Sequence, residues 1–261
     1  DDSVETVGDY SFFFCKALSQ ILFGNGVKKI GAYAFYGCEV LDNSTQNPII
    51  PDSVTSVGSY AFKNTKLWNK PASSGIVYAG KWAVGYNGIR TSTVSLEKNV
   101  IGISDYAFFN CAGVSSIMGM SSVRYIGKGA FYGCSSLLSM SSFNSNLRTI
   151  DDYAFYGCSS LYSVNLPTRL QKIGRSAFYK CVNLQSINFE GTRITSVGDY
   201  AFYECESLQS ASFGDTIEEI GKNAFYGNIG LREVSFPSSL KKIGDRAFYK
   251  CALLENISFG D

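Results

Sequence analysis

Ile173-Gly174-Arg175-Ser176-Ala177-Phe178-Tyr179-Lys180-Cys181-Val182-Asn183-Leu184-Gln185-Ser186-Ile187-Asn188-Phe189 is the stretch that decides how this chain folds. Its second half, Leu184-x-x-Ile187-x-Phe189, alternates apolar and polar residues with the period of two that a half-buried strand requires. Leu184, Ile187 and Phe189 are expected to point inward. The first half, Ala-Phe-Tyr-x-Cys, follows a glycine and is too short to sustain a helix alone. It is predicted to form a single helical or 3₁₀ turn held by packing. One unit is then a strand, a bend, a short turn and a return.

The unit recurs. Phe12, Phe35, Phe62, Phe108, Phe131, Phe155, Phe178, Phe202, Phe225 and Phe248 are separated by 23, 27, 46, 23, 24, 23, 24, 23 and 23 residues. A fixed period in the twenties is the signature of a solenoid, whose repeats bury their apolar faces only against their neighbours. Residues 1–261 therefore read as a single domain. The doubled interval equals two periods, and Val94-Ser95-Leu96 fits the strand of a hidden eleventh coil.

Glycine follows the Ile or Val of the unit in eight of ten copies, Ser104 and Asp151 being the exceptions. It fits a left-handed backbone or a close approach between coils. These residues resemble the BspA-like leucine-rich repeat, with a consensus near I-G-x-x-A-F-x-x-C-x-x-L-x-x-I-x-I-P, over essentially the whole chain. The resemblance implies an α/β leucine-rich-repeat solenoid of about 11 coils. In it a parallel β-sheet lines the concave side and short helical or 3₁₀ turns the convex side. It also implies a secreted or surface-anchored protein of host-associated bacteria or anaerobic protists. Several such relatives are considered adhesins.

Composition narrows the function. The formal charge is +1, from 23 basic and 22 acidic residues, so there is no cationic excess to collect nucleic-acid phosphates or anionic lipid. Histidine is absent, which removes the commonest general base and metal ligand. No serine has a histidine to activate it, so no catalytic residue, cofactor or metal is expected. No apolar run approaches the ~20 residues that span a bilayer. The beginning in mid-repeat, and an end without a polar capping unit, lead us to expect part of a longer chain.

Two columns run through the repeats. All eight cysteines lie three residues after the phenylalanine of the unit, with Thr65 and Asn228 interrupting the series. Equivalent residues on coils about 4.8 Å apart carry parallel Cβ vectors, an unsuitable geometry for disulfides. Small buried thiols touching the turn backbone are expected instead. The other column, Asp105, Lys128, Asp152, Arg175, Asp199, Lys222 and Asp245, alternates in sign at every step. Alternation turns inter-coil repulsion into attraction, and the aspartates are also placed to cap the following turn. Tyrosines follow most of the repeat phenylalanines and are expected to stack between coils.

Candidate contacts come from the strands and from the interruption. The positions between the apolar strand residues include Ser116, Ser139, Ser141, Ser163, Asn165, Ser186, Asn188, Ser210 and Ser212. These short hydroxyls and amides suit a glycan or an extended peptide, and equally suit a plain solvated face. Residues 75–89 read as a β-hairpin insertion replacing the ordinary turn, with Tyr78, Trp82 and Tyr86 either packed on the scaffold or forming a contact site. A non-enzymatic recognition module meeting an extracellular protein, matrix component or glycan is the leading expectation. A spacer presenting another domain is the alternative.

Overall fold

The computed structural model describes residues 2–42, 50–69, 71–88, 92–140, 143 and 145–260. It is a β-solenoid of about ten turns with parallel sheets. Helix is almost absent: among the described residues the one helical segment is a 3₁₀ turn, Met120–Ser122. The helical turns expected of an α/β repeat are therefore replaced by another backbone.

That backbone has a specific cause. The residues two before and two after each repeat phenylalanine take left-handed dihedrals, as at Tyr153 (φ 58°) and Gly157 (φ 70°), or Ser176 (φ 53°) and Lys180 (φ 57°). Left-handed residues at both flanks forbid a continuous right-handed helix. They also aim backbone groups at the next coil. Tyr153 donates its N–H to the Arg175 carbonyl at 2.9 Å, Phe155 to Ala177 at 2.7 Å and Gly157 to Tyr179 at 2.8 Å. The turns thus form a hydrogen-bonded ladder of their own.

Two further ladders are parallel sheets. One joins the Ile/Val positions that precede the recurring glycine, through Thr6–Val7, Lys29–Ile30 and Ser56–Val57, and then from Trp82–Tyr86 to Lys242–Ile243. The other joins the predicted strands, with Ser186–Asn188 pairing with Ser210–Ser212 and Glu233–Phe236 with Asn256–Phe259. Sequence reasoning expected one sheet and found the second of these. The first, whose strands are mostly two residues long, is too short to show a period.

The glycine after Ile or Val does not have positive φ at any copy. Close approach explains it alone: a Cβ on Gly174 would lie 2.4 Å from the Asp152 nitrogen of the preceding coil. Its two exceptions differ. Asp151 accepts from the Asp152 N–H at 2.9 Å and pairs with Lys172 Nζ at 2.5 Å, whereas the buried Ser104 hydroxyl has no partner.

The core is a pile of rings. Phe131, Phe155, Phe178, Phe202 and Phe225 are fully buried and stack at 5.1–5.2 Å between centroids. Each such burial contributes roughly 2–3 kcal/mol. Tyr132, Tyr156, Tyr179, Tyr203 and Tyr226 form a second stack at 4.5–4.7 Å outside it. All eight cysteines are free. Cys134, Cys158, Cys181 and Cys205 donate S–H to the carbonyl of the preceding coil's repeat phenylalanine at 3.1–3.2 Å. At the interruptions, Thr65 Oγ1 donates to the Phe62 carbonyl at 2.7 Å and Asn228 Oδ1 accepts from the Cys205 N–H at 2.8 Å. Backbone contact is therefore the common property of the column.

Alternating charges do not meet as ion pairs within their column. Asp105, Asp152 and Asp199 each accept, through Oδ1, the backbone N–H of the cationic residue one coil on, at 2.8–2.9 Å. They tie successive coils instead of capping their own turns. Lys128 and Arg175 then lie over the rings of Tyr153 and Tyr200 in the coil beyond, at 5.7 and 5.3 Å.

Candidate binding surfaces

Between Phe62 and Phe108 the pattern changes. Ile76–Ala79 and Trp82–Tyr86 pair antiparallel as the expected hairpin, turning through Gly80 and Lys81. Trp82 and Ala83 also pair in parallel with Gly102 and Ile103, so the second hairpin strand occupies a place in the solenoid ladder. Thr93–Ser95 pairs in parallel with Ser116–Met118, so the expected strand at Val94 is present.

The hairpin is a partition inside the stack, not a projection from it. Val77, Ala79, Trp82 and Val84 pack into the N-terminal core cluster, while Ile76 and Ala83 join the C-terminal one. Alternation along a strand sends successive side chains to opposite faces, and here both faces are covered. Trp82 is only 1% exposed and stacks on Tyr125 at 6.1 Å. Its ring covers Gly102, where a Cβ would lie 2.4 Å away, and Trp68 covers Gly85 at 2.3 Å in the same sense. Of the three aromatic candidates, Trp82 is therefore a packing residue. Tyr78 is half-buried; its hydroxyl accepts from the Glu97 N–H at 3.0 Å, and burial holds its pKa above the usual value. Tyr86, also half-buried, lies 5.6 Å from the Phe108 ring.

The serine and asparagine positions do come together. Ser186 stands beside Ser210 and Asn188 beside Ser212 in register, Ser139 is beside Ser163, and Thr93 is beside Ser116. Ser186, Asn188, Ser210 and Asn165 are exposed; Ser116, Ser139, Ser163 and Ser212 are half-buried. Ser141 lies outside the described residues. Asn188 Oδ1 is engaged by the Glu190 N–H at 2.8 Å. Larger residues break the face, since Met118 pairs with Ser95 and is 54% exposed.

Sequence reasoning did not find a cavity of about 170 Å³ beside the hairpin, lined by Tyr60, Lys63, Trp68, Asp105, Tyr106 and Phe109 among others. Lys63 Nζ lies 4.6 Å from the Tyr60 ring and 5.9 Å from that of Trp68. Burial pushes the Asp105 carboxyl up to about 6, against the opposing effect of the hydrogen bond from the Lys128 N–H. Beyond Tyr86 a second pocket of about 450 Å³ is lined by Asn110, Cys111 and Gly113. The doubled phenylalanine interval was the available signal; the identity of the lining residues was not in it.

The repeating coil agrees with comparison to known proteins. Six copies of the BspA type leucine rich repeat region match residues 1–83, 41–161, 85–196 and 186–261. The chain belongs to this family. Among solved structures, the leucine-rich repeat protein of T. pallidum is 27% identical with a TM-score of 0.59, covering 66% of this chain and 81% of that one. A leucine-rich repeat protein from Bacteroides ovatus is 24% identical with a TM-score of 0.40, covering 97% and 82%. A leucine-rich cell surface protein from Faecalibacterium prausnitzii is 23% identical with a TM-score of 0.44, covering 99% and 83%. No curated protein matches the chain. BspA-type repeat proteins are generally interaction or surface modules and typically non-enzymatic. Among the described residues no helix is long and apolar enough to cross a membrane.

Proposed function

We propose that this BspA-type chain is a non-enzymatic recognition module, secreted or displayed at the cell surface, that binds an extracellular protein, matrix component or glycan across its serine and asparagine face. The observation carrying this reading is the in-register pairing of Ser186 with Ser210 and Asn188 with Ser212. Parallel pairing repeats the same short polar groups about 4.8 Å apart. Such an array presents many weak donors and acceptors along one direction, and solenoids use extended faces of this kind for binding.

Supporting the non-enzymatic part, the chain has no histidine. No group of three His, Cys, Asp or Glu side chains could hold a metal among the described residues. Nothing in the composition favours nucleic acid.

The test is a binding screen of the folded chain against extracellular-matrix proteins and a glycan array, repeated with a Ser186→Lys, Ser210→Lys double variant. Binding by the parent and its loss in the variant is the expected result. Equal binding by both moves recognition to another face, and no binding by either favours a spacer that presents another domain. Deleting residues 75–88 is a poor test, because it would strip the partition from both core clusters.

A further inference from the structure

Most lysines at the edge of the Ile/Val ladder take an acid from a neighbouring coil. Lys28 pairs with Glu5, Lys172 with Asp151 at 2.5 Å, Lys241 with Glu218 at 3.0 Å and Lys242 with Glu219 at 2.6 Å. Four arginines depart from this rule. Arg124, Arg148, Arg169 and Arg193 are exposed, and among the described residues none has an acidic partner. The remaining residues hold no acids but Asp1 and Asp261.

The four stand on consecutive coils in one strip. Each flanks a buried aliphatic residue: Arg124 follows Val123 and Arg148 follows Leu147, while Arg169 precedes Leu170 and Arg193 precedes Ile194. Backbone bonds fix the spacing. Arg148 donates its N–H to the Arg124 carbonyl at 2.9 Å, Gln171 to the Arg148 carbonyl at 2.8 Å and Arg193 to the Leu170 carbonyl at 2.8 Å. Successive rungs are thus about 4.8 Å apart, and like charges at that spacing repel. Elsewhere the chain avoids such repulsion by pairing or by alternating sign; here it keeps it. Half of its eight arginines are used to do so. A guanidinium fork grips a sulfate or carboxylate at two points, as an ammonium cannot.

Each of these coils also places one uncharged hydrogen-bonding side chain across the same buried residue. Ser122 stands opposite Arg124, Asn146 opposite Arg148, Gln171 opposite Arg169 and Thr195 opposite Arg193. Ser122 is half-buried and the other three are exposed. At the hairpin end the strip opens into a recess of about 250 Å³, whose lining includes Lys81, Asn99, Ser122, Arg124 and Asn146. Lys81 is held there by Asp52 at 2.7 Å. Tyr125, next to Arg124, is half-buried and stacked on Trp82.

We propose that this strip binds an anionic polysaccharide laid across the coils, with sulfate or carboxylate groups on the arginines and hydroxyls on the neutral side chains between them. Such a polymer carries both kinds of group along its length, matching the one cation and one neutral partner that each coil supplies. Single-stranded nucleic acid is the poorer fit, because bases need rings to stack on and Tyr125 is engaged with Trp82. An acidic peptide would leave the row of amides and hydroxyls without hydroxyl partners. The formal charge of +1 gives no general attraction for polyanions, so the attraction is local to the strip. It lies along the other ladder from the serine and asparagine face and does not rest on the reading given to that face.

The test titrates the whole chain at low salt with a sulfated heparin hexasaccharide as probe. Saturable binding is expected, weakening as salt is added. Arg148→Gln, Arg169→Gln is expected to lose about ten-fold or more in affinity. Arg124→Gln, Arg193→Gln serves in its place if that variant does not fold. Lys28→Gln, Lys241→Gln removes the same net charge from cations that already have acids, and a change below about three-fold is expected. No binding by the parent, equal binding by the arginine variant, an equal loss in the lysine variant, or tighter binding of single-stranded DNA or polyglutamate of matched charge would each overturn the proposal.

Discussion

Asp152 accepts the backbone N–H of Arg175 through Oδ1 at 2.8 Å, and this bond explains why the sign of the column alternates. An aspartate needs only an N–H one coil on, and the residue carrying that N–H is free to send its own side chain forward onto a tyrosine. Arg175 does so over Tyr200. Asp152→Ala is expected to lower unfolding free energy by about 1–2 kcal/mol, and Asp152→Asn by less than half of that, since the amide oxygen still accepts. Equal losses in chemical denaturation would show that the charge, not the acceptor, matters.

Arg175→Asp removes the contact with Tyr200 and sets a third carboxylate between Asp152 and Asp199. A fall of roughly 1 kcal/mol at low ionic strength, shrinking as salt is added, is expected for so exposed a position. An unchanged melting temperature at low salt would refute it.

Two glycines should respond differently. Gly174→Ala forces a Cβ to within 2.4 Å of the Asp152 nitrogen, and a loss of about 2–4 kcal/mol is expected because backbone must move. Gly157 has open space but a φ of 70°, so Gly157→Ala should cost only about 1 kcal/mol. Thermal melts of both variants make the comparison.

Cysteines of one column should also differ. Cys181→Ala deletes a buried group bonded to the Phe155 carbonyl at 3.2 Å and is expected to cost about 1–2 kcal/mol. Cys111→Ala removes a partly exposed thiol without such a bond, and a change within about 0.5 kcal/mol is expected. Similar losses in a denaturant titration would contradict this difference in bonding between the two cysteines.

Asp105 gives a pH signature. Burial raises its carboxyl in the folded chain to about 6, above the unfolded value near 4. The folded state therefore holds this proton more tightly, and the resulting stabilisation is complete below about pH 4. It is lost as pH rises through about 6, by roughly 3 kcal/mol for two units of displacement. Asp105→Asn should remove this component, so the stability difference between parent and variant must change between pH 4 and 7. A constant difference would exclude it.

Much of this arrangement was legible in the residues. Phe178 at its fixed interval, the alternation of Leu184, Ile187 and Phe189, and the improbability of disulfides among stacked cysteines all follow from periodicity and strand geometry. The turn around Phe178 was not legible. Ser176 and Lys180 carry left-handed dihedrals although neither has the glycine that announces them; bonds to the Asp199 and Tyr203 carbonyls hold them there. The same holds for the recurring glycine, whose role is to admit the preceding coil, a contact about 23 residues away in sequence.

Sequence alone determined the repeat, its inward face, the family, and the place where the pattern fails, because each is a local alternation or a count. Tertiary structure decided what the failure means. Whether Trp82 meets solvent and which carbonyl Cys111 can reach depend on what the adjoining coil puts beside them. A solenoid fixes every hydrogen bond between coils by stacking. When one coil folds back as a hairpin, its strands keep their ladder pairing, while the Trp82 indole N–H is buried without a partner and Cys111 loses the bond its column mates make.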